Sequence, residues 1–436
     1  MSITMKLLTV FIPLISMGQP IRKRIDRSSN YFSTRSVIIS LSITVSLFFG
    51  TSVSAQIDAA TIEELRAQIA ALSSRIEQLE EGNELISTTV EGDRRSVRDA
   101  SWTEKFQISG DMRPRFEHID DDLESSDRNR DRVRARIAVD ANLGDNWSAG
   151  IGMASGGTDP ISTNQTLGGG GFSKDLRLDL AYVTYEGFSN TALSVGKLRN
   201  SFYKPGGQNL IFDSDFRPEG VAVAYATERL SINAGTMILE SDDKFSGQDK
   251  ETLWGMQLAY EFTLDAGSLT LGTSYYDAAV AGSRPFYLGD PYNNSVDATG
   301  AYLNDYQEWE LFAEANFSLA GKPLRLYSDY VTNLDASEFD TAWALGVRYG
   351  SARGLGNWEL GYGYQDLEAD AVLGSLTDSD FGGGGTDNQG HILKAAYGLG
   401  DSARVGFTYF ISEYGEARLG QKIDYNRLQL DIQLRF

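Results

Sequence analysis

The sequence predicts an all-β fold: a transmembrane antiparallel β-barrel of about sixteen strands, preceded by a signal peptide and a short α-helical coiled coil. Three observations predict it. From Trp102 to Phe436 apolar and polar residues alternate with period two, the mark of strands with one wet and one dry face. The connections between these runs are short and long by turns. The segment before Trp102 follows neither rule and carries targeting and heptad patterns instead.

Composition limits what such a chain can be. It has 436 residues and no cysteine, so it has no disulfide framework, no thiolate metal site and no thiol nucleophile. Its formal charge is −21, which argues against nucleic acid as a partner because phosphate binding needs clustered Lys and Arg. A mean hydropathy of −0.28 does not fit a helical membrane protein. It fits a membrane barrel, in which only the lipid-facing half of each strand must be apolar.

Residues 1–55 read as a signal peptide. Arg22, Lys23, Arg24, Arg27 and Arg35 form a basic region, Val37 to Phe49 an apolar one, and Val53-Ser54-Ala55 a small-residue cleavage site. A membrane anchor is the competing reading, but the apolar run is short and rich in Ser and Thr. Residues 56–101 read as a periplasmic coiled-coil helix and linker. Ile62, Leu65, Ile69, Leu72, Ile76 and Leu79 alternate three and four apart, and Asn83 and Ile86 continue the seam. Ile at a with Leu at d formally favours two strands; packing of the helix on its own barrel is the alternative.

Residues 102–436 read as the barrel. In the first strand Phe106, Ile108, Met112 and Phe116 share a face, and Lys105, Gln107, Asp111, Arg113 and Arg115 share the other. In the second, Val133, Ala135, Ile137, Val139, Ala141 and Leu143 alternate with Arg132, Arg134, Arg136, Asp140 and Asn142. A basic residue on the lipid face costs roughly 2–4 kcal/mol near the midplane, so the three arginines of the second strand point inward. Further strands are expected to begin near Trp147, Leu176, Thr191, Val221, Leu230, Thr252, Ser268, Glu308, Leu324, Ala342, Trp358, Gly390, Ala403 and Asp424. Short turns such as 144–146 and 400–402 alternate with long segments such as 118–131, 200–219, 277–305 and 366–389. That alternation is how short periplasmic turns and long outer loops arise. Trp102, Trp147 and Trp358 open strands at the short-turn end, and Trp254, Trp309 and Trp343 at the long-loop end, giving two aromatic girdles. The last strand alternates Leu428, Leu430, Ile432, Leu434 and Phe436 with polar residues. Its aromatic final residue, Phe436, resembles the signal read by the outer-membrane barrel assembly machinery.

Several segments together resemble the bacterial putative porin family. Leu210 to Gly220 (LIFDSDFRPEG) is similar to its third-loop motif. Asp370 to Leu373, Asp378 to Thr386 (DSDFGGGGT) and Gly390-His391 are similar to its late extracellular segment, and Asp329-Tyr330 with Asn333 to a further piece. The likeness runs from Trp102 to Phe436. It implies an outer-membrane porin, a homotrimer in contact with lipid and lipopolysaccharide, forming a water-filled pore for passive diffusion of small polar solutes and ions. The alternatives are a substrate-selective, anion-preferring channel and a structural or adhesive barrel.

Within that frame the third long connection is expected to constrict the pore, with Asp213, Asp215, Arg217 and Glu219 as its charged residues. Arg113, Arg115, Arg132, Arg134 and Arg136, joined by Arg427 of the last strand, form the basic ladder facing it. Acids opposite bases in a narrow throat make a transverse field that orients dipolar solutes; the same charges also serve to stiffen the wall. The acids of the first outer loop (Asp120, Asp121, Asp122, Glu124, Asp127) and of the seventh (Asp366, Glu368, Asp370, Asp378, Asp380, Asp387) match no calcium-loop pattern and read as a solvated face. No metal, cofactor or catalytic residue is expected: the two histidines, His118 and His391, sit at loop edges, and no GxSxG, HExxH or Walker sequence occurs.

Overall fold

The computed structural model describes residues 105–242 and 250–436, with Ala67, Ala70, Ala71, Ser74 and Arg75 as exposed helical positions. The expected signal peptide, the heptad seam and Trp102 lie outside the described residues. The barrel belongs to the second of two units, Met1–Ser87 and Thr88–Phe436.

Seventeen strands form a single sheet. They are β1 (Phe106–Asp121), β2 (Arg128–Gly144), β3 (Trp147–Ser155), β4 (Gln165–Thr166), β5 (Leu176–Phe188), β6 (Thr191–Lys197), β7 (Glu219–Ala226), β8 (Leu230–Glu240) and β9 (Glu251–Leu264). The sheet continues through β10 (Gly267–Ala278), β11 (Tyr306–Leu319), β12 (Lys322–Asn333), β13 (Thr341–Gly350), β14 (Trp358–Leu367), β15 (Asn388–Gly398), β16 (Ala403–Tyr414) and β17 (Ile423–Arg435). All but the two-residue β4, which lies on β2 from inside a loop, make the wall. Each wall strand pairs antiparallel with the next, and β1 pairs with β17, so the sheet closes with no free edge. Closure is what hydrocarbon demands, since an unpaired strand edge has no water to satisfy it.

Register carries the period-two pattern around the wall. Across the seam Met112 faces Leu434 and Phe116 faces Leu430 on the outside, while Arg115 faces Asp431 on the inside. Between β1 and β2 the inward pairs are Asp111 with Arg136, Arg113 with Arg134, Arg115 with Arg132 and Glu117 with Arg130. The outward set includes Ile108, Met112, Ile137, Ile151, Leu271, Leu311, Leu345 and Ile432, all exposed. So much contiguous apolar surface is a liability in water and a requirement in lipid. Aromatic pairs rim the two ends: Trp147 on Tyr185 and Tyr349 on Trp358 near the short turns, Trp254 on Tyr275 and Trp343 on Tyr364 near the long loops.

The apolar core lies inside the barrel. Three long connections, 198–218, 279–305 and 368–387, fold inward from the outer end. Leu210, Phe212, Val372 and Leu373 from these loops pack with Tyr276 and Tyr306 of the wall. Each such side chain gains about 1.5–3 kcal/mol on leaving water, enough to hold loops that strand pairing does not. The reading of the seventh-loop acids as a solvated face is therefore corrected. Asp370 and Asp387 are buried there, because the loop turns into the barrel and covers them.

Candidate functional site

The inward loops pack against the wall on the side of β8 to β13 and leave an eccentric space along β13 to β17, β1 and β2. At the outer end a vestibule of about 780 Å³ is bordered by Arg128, Arg130, Arg132 and Arg427 with Asp121, Glu124 and Asp127. Below it, past Ser379, a throat of about 240 Å³ is bordered by Arg113, Arg115, Arg134, Arg348, Lys394 and Arg404 on the wall. Asp213, Asp215, Asp378 and Asp380 border the same throat from the loops. Arg348, Glu359, Arg404 and Gln433 also line an inner vestibule of about 550 Å³ at the short-turn end.

The loop wall of the throat is stitched together by hydrogen bonds. Asp213 N–H donates to the Leu376 carbonyl at 2.7 Å, and the Thr377 hydroxyl donates to the Leu210 carbonyl at 2.8 Å. Asn294 donates to the carbonyls of Ala369 and Val372 at 2.7 and 2.9 Å, tying the 279–305 loop to the 368–387 loop. From the barrel side, Glu314 accepts the Gly206 N–H at 2.7 Å, and Arg348 donates to the Gly206 carbonyl at 2.9 Å. Asp329 accepts from the Gln208 amide.

The expected basic ladder is assembled, and the structure supplies acids that sequence reading did not assign to it. Arg115 holds Asp431 with two bonds of 2.6 and 2.9 Å and Asp380 with one of 2.9 Å. Arg427, 2% exposed, meets Glu117 at 2.8 Å and Asp380 at 2.7 Å. Arg130 also grips Glu117, at 2.5 Å. Arg134 and Arg136 share Asp111, at 2.8 and 2.6 Å, and Asp215, at 3.3 and 2.9 Å. Arg132 has only longer contacts, 3.6 Å to Glu117 and 3.4 Å to the Ser162 hydroxyl. Arg113 donates to the Asn164 amide oxygen at 2.8 Å, and its Nε is buried without a partner.

Of the four loop residues expected here, Asp215 alone meets the ladder. Asp213 accepts the backbone N–H groups of Asp215 and Ser379, at 2.7 and 3.1 Å. Arg217 pairs with Asp179 at 3.3 Å. Glu219 opens β7 and pairs with Lys197 at 2.6 Å, because its strand position carries it away from the arginines. Asp380 takes the place expected of Glu219. Phe436 caps the seam: its backbone exchanges hydrogen bonds of 3.0 and 3.1 Å with Gly110.

The loop carboxyls divide into two states. Burial works against ionisation of Asp215, but Arg134 and Arg136 bring it down to about 2. Burial likewise opposes ionisation of Asp380, yet Arg427 and Arg115 hold it well below the usual range. Asp213 goes the other way: burial, then the charge of Asp378, pushes it well up. Asp378 is raised by burial and by Asp380.

Sequence reading also missed Arg348, Lys394 and Arg404. Each is a lone base in an alternating strand, beside Val347, Leu393 and Val405. The signal was the inward parity of each position, which a search for runs of arginine passes over.

The model of a family described as putative porin matches residues 118–286 and 301–436. The chain belongs to the putative porin family. Among solved structures, the high-pH structure of Pseudomonas putida OprB is similar with a TM-score of 0.54 and 13% identity, covering 79% of this chain and 97% of that one. A mutant Rh. blastica porin gives a TM-score of 0.48 at 11% identity, covering 76% and 100%. Salmonella typhi OmpF in complex with daunomycin gives 0.48 at 12%, covering 76% and 97%. Among curated protein sequences none matches this chain. Family and fold make this porin a channel protein of the bacterial outer membrane and point to a channel rather than an enzyme.

Proposed function

We propose that this porin passes small polar solutes and ions by passive diffusion through the eccentric space along β13 to β17, β1 and β2. The observation that supports it is the succession of outer vestibule, throat and inner vestibule, the first two meeting at Ser379 and the last two sharing Arg348, Glu359, Arg404 and Gln433. A homotrimer, contact with lipopolysaccharide, export by a cleaved signal peptide and assembly through Phe436 belong to the same reading.

An anion preference is favoured by the throat's charge states. Asp215 and Asp380 are each held by two arginines, and Asp213 and Asp378 are driven toward their neutral forms. Arg113, Lys394 and Arg404 have no carboxylate within ion-pairing distance among the described residues. Electrostatic attraction in a narrow, low-dielectric throat then falls on anions.

Purified protein in planar bilayers tests this. Stepwise, ohmic conductance is expected, with a reversal potential under a KCl gradient that reports chloride entering more readily than potassium. A chain that inserts without conducting defeats the channel reading. One that conducts with cation preference defeats the anion reading alone.

A further inference from the structure

Three bases that keep no carboxylate among the described residues, Arg113, Lys394 and Arg404, and a fourth, Arg348, that keeps only a distant one, sit at defined places on the throat wall. Arg404 of β16 pairs in register with Gln433 of β17 and donates to its side-chain oxygen at 2.9 Å. Arg113 lies on β1, the strand beyond β17. Arg348 of β13 is in register with Gly361 of β14, and Gly361 with Lys394 of β15. Each pair of bases is thus separated by one strand, about 10 Å between backbones at the usual strand spacing. What lies between them is neutral: Gln433 in the first pair, and in the second Gly361, which has no side chain to fill the gap. The Lys394 side chain makes no hydrogen bond or ion pair among the described residues, and Arg348, which donates to the Gly206 carbonyl at 2.9 Å, reaches Glu359 only at 3.7 Å.

Six acids border the same space, and they leave these bases largely uncompensated. Asp215 is held by Arg134 and Arg136, Asp380 by Arg115 and Arg427, and Asp431 by Arg115. Asp213 accepts two backbone N–H groups, and Asp378 accepts the Asp380 N–H at 2.8 Å. Burial favours the neutral form of both. Glu359 alone is left to face Arg348. Four bases against one distant carboxylate ask for more than one negative charge, and a throat of about 240 Å³ has room for more than a halide.

We propose that this throat holds a binding site for a compact organic dianion, a short dicarboxylate, with one carboxylate between Arg113 and Arg404 and the other between Lys394 and Arg348. The inference rests on the channel reading and narrows its substrate class. Guanidinium pairs suit carboxylates because their donors match two oxygens at once, and Lys394 adds a mobile point charge. A solute bound in transit makes flux saturable, since the site must fill before it empties.

Succinate is the probe, with acetate and erythritol as the monoanionic and neutral comparisons. Channels of the full-length protein in KCl are titrated with each solute on one side of a planar bilayer. Succinate should reduce chloride current saturably, with acetate needing roughly tenfold more and erythritol showing no saturation. In Lys394→Gln/Arg404→Gln, whose side chains pair with no carboxylate, the succinate concentration for half-effect should rise about tenfold. Arg113→Gln, which keeps a donor toward Asn164, should show a similar rise if its heat-modifiable folded band is intact. Equal potency of succinate and acetate, or an unchanged succinate titration in folded variants, overturns the dianion site and leaves the channel standing. Loss of all conductance in the parent protein defeats the channel reading instead.

Discussion

At the scale of residues, the throat is governed by which carboxylates are shared. Asp215 serves Arg134 and Arg136 together and draws a further bond of 2.8 Å from the Thr163 hydroxyl. Its carboxyl is depressed from 3.8 to about 2, so its ionised form stabilises the fold by on the order of 2 kcal/mol at pH 7. The sign follows from the depression: the contribution is complete above the ordinary aspartate range and disappears as pH falls from there to about 2. Asp215→Asn should therefore lower the thermal unfolding midpoint clearly at pH 7 and much less near pH 2, and an equal loss at both would refute the assignment. Asp213 carries the opposite sign. Its raised carboxyl favours the fold below the ordinary range and loses that advantage as pH rises, so Asp213→Asn should be no less stable than the parent at pH 7. The arginines of β2 were legible in the sequence because three bases on one strand face cannot meet lipid. Asp380 was not, because its partners Arg115 and Arg427 come from the first and last strands, and nothing local to its loop announces them.

At the scale of elements, the strands were legible and the loops were not. Alternation of apolar and polar residues is imposed by the bilayer on every strand, so each wall strand appears near its expected start. An inward-folded loop obeys no period. The DSDFGGGGT segment could be recognised as a motif, but its physical role appears only in the fold. Gly382, Gly383, Gly384 and Gly385 all have positive φ, and the chain turns there beneath the 279–305 loop. A Cβ on Gly385 would come within 2.3 Å of the Tyr292 carbonyl oxygen. Gly385→Val should separate these two loops, at a cost of about 1–3 kcal/mol for the strained backbone. Limited proteolysis should then cut the loops while the wall stays heat-modifiable; unchanged protease resistance would count against the stitching. The barrel seam depends on a glycine of a different kind. Gly110 faces outward beneath the Phe436 ring, and a Cβ there would meet the Arg136 carbonyl oxygen at 2.4 Å and the ring at 2.5 Å. Gly110→Val should lower the yield of folded barrel, read as the ratio of heat-modifiable to unfolded protein. A ratio equal to the parent's would show that the seam tolerates the clash.

At the scale of the whole molecule, a net charge of −21 coexists with a throat whose free charges are basic. The two are reconciled by position. Asp122, Glu124 and Asp127 of the first outer loop are exposed at the mouth, whereas Arg113, Arg348, Lys394 and Arg404 line the narrow middle. Bulk electrolyte screens the mouth, whereas the narrow throat brings every passing ion close to its charged wall, so the throat governs which ion passes. Salt concentration separates the two contributions. The Debye length shrinks from about 10 Å at 0.1 M to about 3 Å at 1 M, which is less than the span between neighbouring bases on the wall. Chloride preference should therefore be largest in dilute KCl and approach unity in molar KCl. Replacing Arg132, Arg134 and Arg136 with Ser frees the carboxylates of Asp111 and Asp215 as well as removing three cations. That variant should move the reversal potential toward cation preference at 0.1 M, with a shift that is strongly reduced at 1 M. A reversal potential that ignores both salt and substitution would mean that these charges only brace the wall, and that the selective step lies elsewhere along the channel.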